Sequence, residues 1–158
     1  MQNYNRQKAI NYALTWWNKR NPNFYNFDGI GGDCTNFISQ CLLFGGYEMN
    51  FNNYGWFYDS PSNRAPAWTG VDEFFNFSTK NNTNYGPKAK LATISDMQVG
   101  DIIQLLQNGQ NFHHTLIITQ ILGEPNLDNI FVACHTKDAY NKRLSDYNFK
   151  KIRFLKLF

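Results

Sequence analysis

The sequence predicts an α+β fold, with helices first and a meander of antiparallel strands after them. Apolar residues recur at helical spacing as far as Gly45-Gly46. In the second half the period changes to two, most clearly from His113 to Leu122. Asn108-Gly109 marks a turn between two such runs. The chain of 158 residues fits one domain, 1–158, large enough to bury a core without metal or disulfide staples.

The first helix is expected from about Tyr4 to Lys19, with Ala9, Ile10, Ala13, Leu14 and Trp17 on one face. Asn21-Pro22-Asn23 ends it. A glycine-bearing loop leads to a second helix, starting near Asp33 or Cys34 and stopping at Gly45-Gly46. Asp33 is a natural N-cap there, and Phe37, Ile38, Cys41 and Leu42 form the apolar side. Residues 47–67 read as a long surface excursion rich in aromatics. A third, shorter helix follows from Thr69 to Phe77, with Thr69 and Asp72 placed like a capping box. Lys80 to Ala89 reads as loop. Strands are expected at Ile102–Leu106, at His113–Leu122, at Asn129–His135 and near Lys150–Leu157. In the second of these, His114, Leu116, Ile118 and Gln120 share one face, and Thr115, Ile117, Thr119 and Ile121 the other.

Composition narrows the function classes. A net charge of +3 with only 17% charged residues carries no nucleic-acid footprint, although it suits an anionic polymer as substrate. No apolar run is long enough to span a bilayer, and the first residues lack the layout of a secretion signal. No cofactor motif occurs. The three cysteines, odd in number and irregular in spacing, argue against a disulfide framework.

Gly31-Gly32-Asp33-Cys34-Thr35-Asn36-Phe37 is the most informative stretch. It sets a cysteine in the first turn of a helix behind two glycines. Unpaired N–H groups and the helix dipole there favour a thiolate, and the same groups suit an oxyanion. The segment equally fits a turn, a cap and a small buried cysteine. Cys41 and Cys134 lie among apolar neighbours and read as core. A thiolate needs a base and a group that orients the base. His113 and His114 point to opposite faces of one strand, so only one can face the site. His113 is read as non-catalytic. His135 ends the next strand, where antiparallel pairing brings it near the start of the previous one, so His114 and His135 are expected to meet. Asp138 is a reserve orienter, and Trp56 and Trp68 are candidates to line a cleft. Zinc is disfavoured, because neither Cys-x-x-Cys nor His-Glu-x-x-His occurs.

The run Gly31 to Gln40 resembles the signature of the bacterial "putative amidase domain" family. So do the opening from Tyr4 to Ala13, Gly55-Trp56, Trp68-Thr69, and His135-Thr136 with Asp138. The resemblance extends to the NlpC-type and CHAP papain-like peptidases. It implies a papain-like core, with the Cys34 helix packed on an antiparallel sheet. It also implies Cys34 as nucleophile, His114 as base and His135 as third polar residue, with Asp138 in reserve. Asp33, Trp56 and Trp68 become candidate substrate contacts. Relatives cut amide bonds in peptidoglycan, so the expectation is a monomeric thiol amidase or peptidase that works through an acyl-enzyme. It needs no cofactor or metal and acts outside the membrane as part of a longer, secreted or wall-associated protein. The alternatives are an acyl transferase on the same scaffold, a catalytically silent wall-binding module, and a partner-binding domain with an inert Cys34.

Overall fold

The computed structural model describes residues 2–158. Helix α1 (Arg6–Trp16) begins at Asn5, whose side chain accepts the Lys8 N–H. It is shorter than expected at both ends. Its inner face is Ala9, Ile10, Tyr12 and Ala13, whereas Leu14 is exposed. Helix α2 (Cys34–Phe44) has the expected bounds, and residues 34–42 are all buried. Wrapping on every side makes it the axial element of the helical half.

The stretch expected as a surface excursion does run over the surface for much of its length, but it sends several aromatics into the core. It forms a small hairpin, β1 (Tyr58–Ser60) with β2 (Asn63–Arg64), and its Tyr47, Trp56 and Tyr58 are buried. Phe51 and Tyr54 do remain exposed. The expected third helix is two, α3 (Pro66–Thr69) and α4 (Val71–Lys80), broken at Gly70. There is no capping box at Thr69; its hydroxyl instead accepts Arg64 Nε at 3.1 Å. Pro66 sits at the first turn of α3, where its missing N–H costs no hydrogen bond.

One six-stranded, wholly antiparallel sheet forms the second half, in the order β3-β8-β4-β5-β6-β7. Its strands are β3 (Ala89–Ala92), β4 (Ile102–Leu106), β5 (His114–Ile121), β6 (Ile130–Cys134), β7 (Ala139–Arg143) and β8 (Lys151–Leu157). Edge strands β3 and β7 were not anticipated, because Ala89–Ala92 and Ala139–Arg143 carry little apolar alternation. The sheet divides the core in two. Ile102, Ile117, Ala133 and Leu155 face α1, α2 and α4, while Ile103, Leu105, Leu116, Ile118, Val132 and Cys134 face the Leu144–Phe149 segment. No described helix is long and apolar enough to cross a membrane.

Candidate active site

The glycines before α2 set its entry. Gly31 and Gly32 have φ of 82° and 97°, in the left-handed region, and a Cβ on Gly32 would stand 3.3 Å from Thr136 Oγ1. Asp33 occupies the N-cap position, yet its side chain does not cap the helix. One carboxylate oxygen accepts the Phe27 N–H (2.9 Å) and Asn36 Nδ2 (2.8 Å). The other accepts His135 Nδ1 at 2.6 Å. Buried to 1% exposure, Asp33 is an internal strut and not an open substrate contact.

Cys34 opens α2 directly beneath the start of β5. Its Sγ lies 3.7 Å from the His113 carbonyl and 3.8 Å from Thr35 Oγ1. The sulfur thus rests against the strand beside His114. Thr35 Oγ1 and Thr115 Oγ1 are 2.8 Å apart and lock helix to strand. Gln104 Nε2 reaches Thr115 Oγ1 at 3.3 Å and the Val71 carbonyl at 3.0 Å, extending the lock to α4. Burial pushes the Cys34 thiol up, against the lowering hydrogen bonds from Thr115 and Thr35. The helix start therefore does not by itself deliver the depressed thiol expected from sequence, because Cys34 is only 5% exposed.

His114 projects from the face of β5 that carries Leu116 and Ile118, as its parity predicts. Helix α2 packs on the other face, the one carrying Thr115 and Ile117. The imidazole therefore does not hydrogen-bond Sγ, and it makes no hydrogen bond among the described residues. Its ring packs beside Tyr147, with centroids 6.1 Å apart. Burial holds His114 down from its ordinary 6.5 to about 4, helped by the positive charge of His113, Lys142 and Lys137. Both members of the expected pair thus rest uncharged near neutral pH. His113 shares Thr115's parity. Its exposed ring sits 3.3 Å from both the Asn111 carbonyl and Gln107 Oε1.

The structure does not bring His135 to His114. His135 follows β6 on the α2 side of the sheet, stacked on Phe37 with centroids 3.8 Å apart. Its Nδ1 meets Asp33, and its Nε2 lies 2.7 Å from the Trp16 carbonyl and 3.2 Å from Arg20 Nη1. The ring nitrogens are both occupied on that side. Strand parity explains the difference: the expectation that adjacent strand ends meet ignored that 114 and 135 point to opposite faces. Asp138 is engaged as well, by two 3.0 Å contacts with Arg20, which also pairs with Asp28 at 2.7 Å. Arg20 thus ties the loop after α1 to the β6–β7 turn, and no feature of its sequence surroundings announced that role.

Trp56 and Trp68 are each 0% exposed. Trp68 Nε1 donates to Asn36 Oδ1 and Trp56 Nε1 to Ser39 Oγ, so both brace the flank of α2 and neither lines an open groove. Cys41 and Cys134 are buried free thiols, as read from their neighbours. Among the described residues no cluster of His, Cys, Asp and Glu could hold a metal ion.

A cleft of about 260 Å³ opens over His114, lined by His113, Thr136, Lys137, Lys142 and Tyr147 among others. Thr136 joins it to the Cys34 end of α2, since its Oγ1 accepts the Asp33 N–H at 3.2 Å. A larger cleft of about 420 Å³, beside Tyr54, Glu73 and Phe77, contains none of the cysteines or histidines. The smaller cleft is lined by His113 and His114 and by none of the cysteines.

No solved structure matches the chain. A relative from Bacillus subtilis (strain 168), described as "Uncharacterized protein YhbB", is 34% identical over 120 residues. That match covers 73% of this chain and 37% of the relative's length. The family described as "Putative amidase domain" matches residues 3–157, a span that includes Cys34 and His114. With the family's match reaching across both the helical half and the sheet, the chain belongs to the putative amidase domain family.

Proposed function

We propose that this domain is a thiol amide hydrolase of papain-like type, with Cys34 as nucleophile and His114 as general base. The observation that carries this reading is the seat of Cys34. Its sulfur lies at the first turn of a helix and against the main chain that flanks a histidine lining a cleft. The Cys34 thiol attacks the amide carbonyl while His114 accepts its proton, giving a tetrahedral intermediate and then a thioester as the amine leaves with that proton. Water then hydrolyses the thioester by the same proton relay. Such a step requires the imidazole to reach toward Sγ once substrate occupies the cleft. Catalytic hydrogen bonds are often long in an empty site and tighten on binding. The pair starts as neutral thiol and neutral imidazole, so proton transfer accompanies attack and does not precede it. Main-chain N–H groups at the start of α2 are the nearest donors for the oxyanion.

The substrate proposed is an amide bond of bacterial peptidoglycan, and the place of action is outside the membrane, within a longer protein. The family name supports amide chemistry in general, and the weakly basic charge suits an anionic wall. Digestion of purified wall and muropeptides, followed by mass spectrometry and free-amine assay, tests this. New amines should be released by the wild type and not by Cys34→Ala. Release that persists in Cys34→Ala contradicts the proposal. Amide exchange onto an added amine in place of hydrolysis would reassign the domain as a transferase.

One observation favours a second base. His113 has the strand parity of Thr115, which touches α2, and its carbonyl is the strand atom beside Sγ. His113→Ala therefore belongs beside His114→Ala in every assay.

A further inference from the structure

The cleft over His114 carries more positive than negative charge. Lys137 and Lys142 line it from the β6–β7 hairpin, Asp146 is its one carboxylate, and Gln107 and Asn148 supply amides. Neither lysine forms an ion pair among the described residues, although both are exposed.

The turn that carries Lys137 has an unusual backbone. Thr136 and Lys137 have φ of 64° and 59°, two successive non-glycine residues in the left-handed region. Such backbone is strained for a residue with a Cβ, and strain of this kind gathers at functional sites. Thr136 spends its hydroxyl on the Asp33 N–H, which fixes the turn against the start of α2. Lys142 lies over the Tyr147 ring, 4.2 Å from its centroid, so its ammonium is held at the cleft wall. The field of the two lysines reaches the candidate base, since they are among the charges that disfavour a proton on His114.

We infer that this cleft selects amides bearing a free carboxylate close to the scissile bond, with Lys137 and Lys142 receiving the carboxylate. Unpaired ammoniums beside a small cleft attract an anion by long-range steering and short-range pairing. A neutral or cationic amide gains neither. The inference rests on Cys34 being reactive, and it specifies the substrate class of that same site.

Alkylation with a charged and an uncharged reagent separates the two claims. Iodoacetate and iodoacetamide form the same C–S bond and release iodide, differing in the reagent's negative charge. Their rates at Cys34, read by peptide mass mapping, are compared with their rates on glutathione. Wild type should favour iodoacetate over iodoacetamide by about five-fold more than glutathione does, and the preference should shrink as salt rises. Lys137→Gln with Lys142→Gln should bring the iodoacetate-to-iodoacetamide ratio back to that of glutathione, whatever the change in either rate through His114, and an unchanged circular-dichroism spectrum reports an intact fold. Asp146→Asn should increase it. Reaction with iodoacetamide but no preference for iodoacetate overturns the carboxylate assignment and leaves the nucleophile standing. A Cys34 inert to both reagents overturns the nucleophile and the substrate assignment together.

Discussion

The residue with the most to lose or gain is His114. Its burial leaves a neutral imidazole in a wall of positive charge, with a folded-state value near 4 against the ordinary 6.5. An unfolded chain takes up this proton near pH 6.5 and the native chain only near 4. Stability should therefore be complete above pH 6.5 and fall as the pH drops toward 4, by about 3 kcal/mol at the full extent. Urea melts at pH 7 and pH 5 measure it, and His114→Gln should remove that part of the slope. An unchanged slope in the variant would place the acid sensitivity elsewhere. At this scale the place of Cys34 at a helix start, the strand face of His114 and the core character of Cys41 and Cys134 were legible, because each depends on near neighbours and local periodicity. The raised Cys34 thiol was not. A helix start signals a stabilised thiolate, but how far the sulfur sinks beneath β5 depends on a strand 80 residues along the chain, where Thr35 meets Thr115.

At the scale of elements, the start of α2 is held by a strut of its own. Asp33 joins the loop before α2, the helix itself and His135, and Arg20 clamps the same corner through Asp28 and Asp138. Removing the buried carboxylate leaves His135 Nδ1 and the Phe27 N–H without their partner and Asn36 Nδ2 with the Tyr25 carbonyl alone. Asp33→Ala should cost about 3–5 kcal/mol, whereas Asp138→Ala, at a half-buried pair, should cost about 1 kcal/mol or less. Thermal or urea unfolding of the two variants checks the order, and equal losses would contradict the strut. Helices α1 and α2 and strands β4, β5, β6 and β8 were readable because their apolar period is strong. Edge strands β3 and β7 were not, since a strand with one exposed side and many polar residues resembles loop. Trp56 and Trp68 misled for a related reason. Aromatics spaced through a loop-like segment say nothing of which way the segment folds back, and here they close over α2.

At the scale of the whole molecule, the chain ends and both halves meet at one buried charge. Asp101, 0% exposed, takes Arg6 from α1 at 2.7 Å, Lys156 from β8 at 3.1 Å and the Leu157 N–H at 3.0 Å. This knot sets α1, and through it α2, against the sheet. The candidate nucleophile comes from the helical half and the candidate base from the sheet, so their coupling is a property of the complete fold. Sequence spacing could suggest both partners, yet it could not show that they approach the strand from opposite faces. The most direct test is the rate of Cys34 alkylation by iodoacetamide from pH 5 to 10 in wild type, His114→Ala and His113→Ala. Wild type should react at neutral pH well above the variant lacking its base, with the loss in His114→Ala about ten-fold or more and confined to pH values below the ordinary thiol range. Identical profiles in all three proteins, rising only as an ordinary thiol ionises, would contradict the proposed pair.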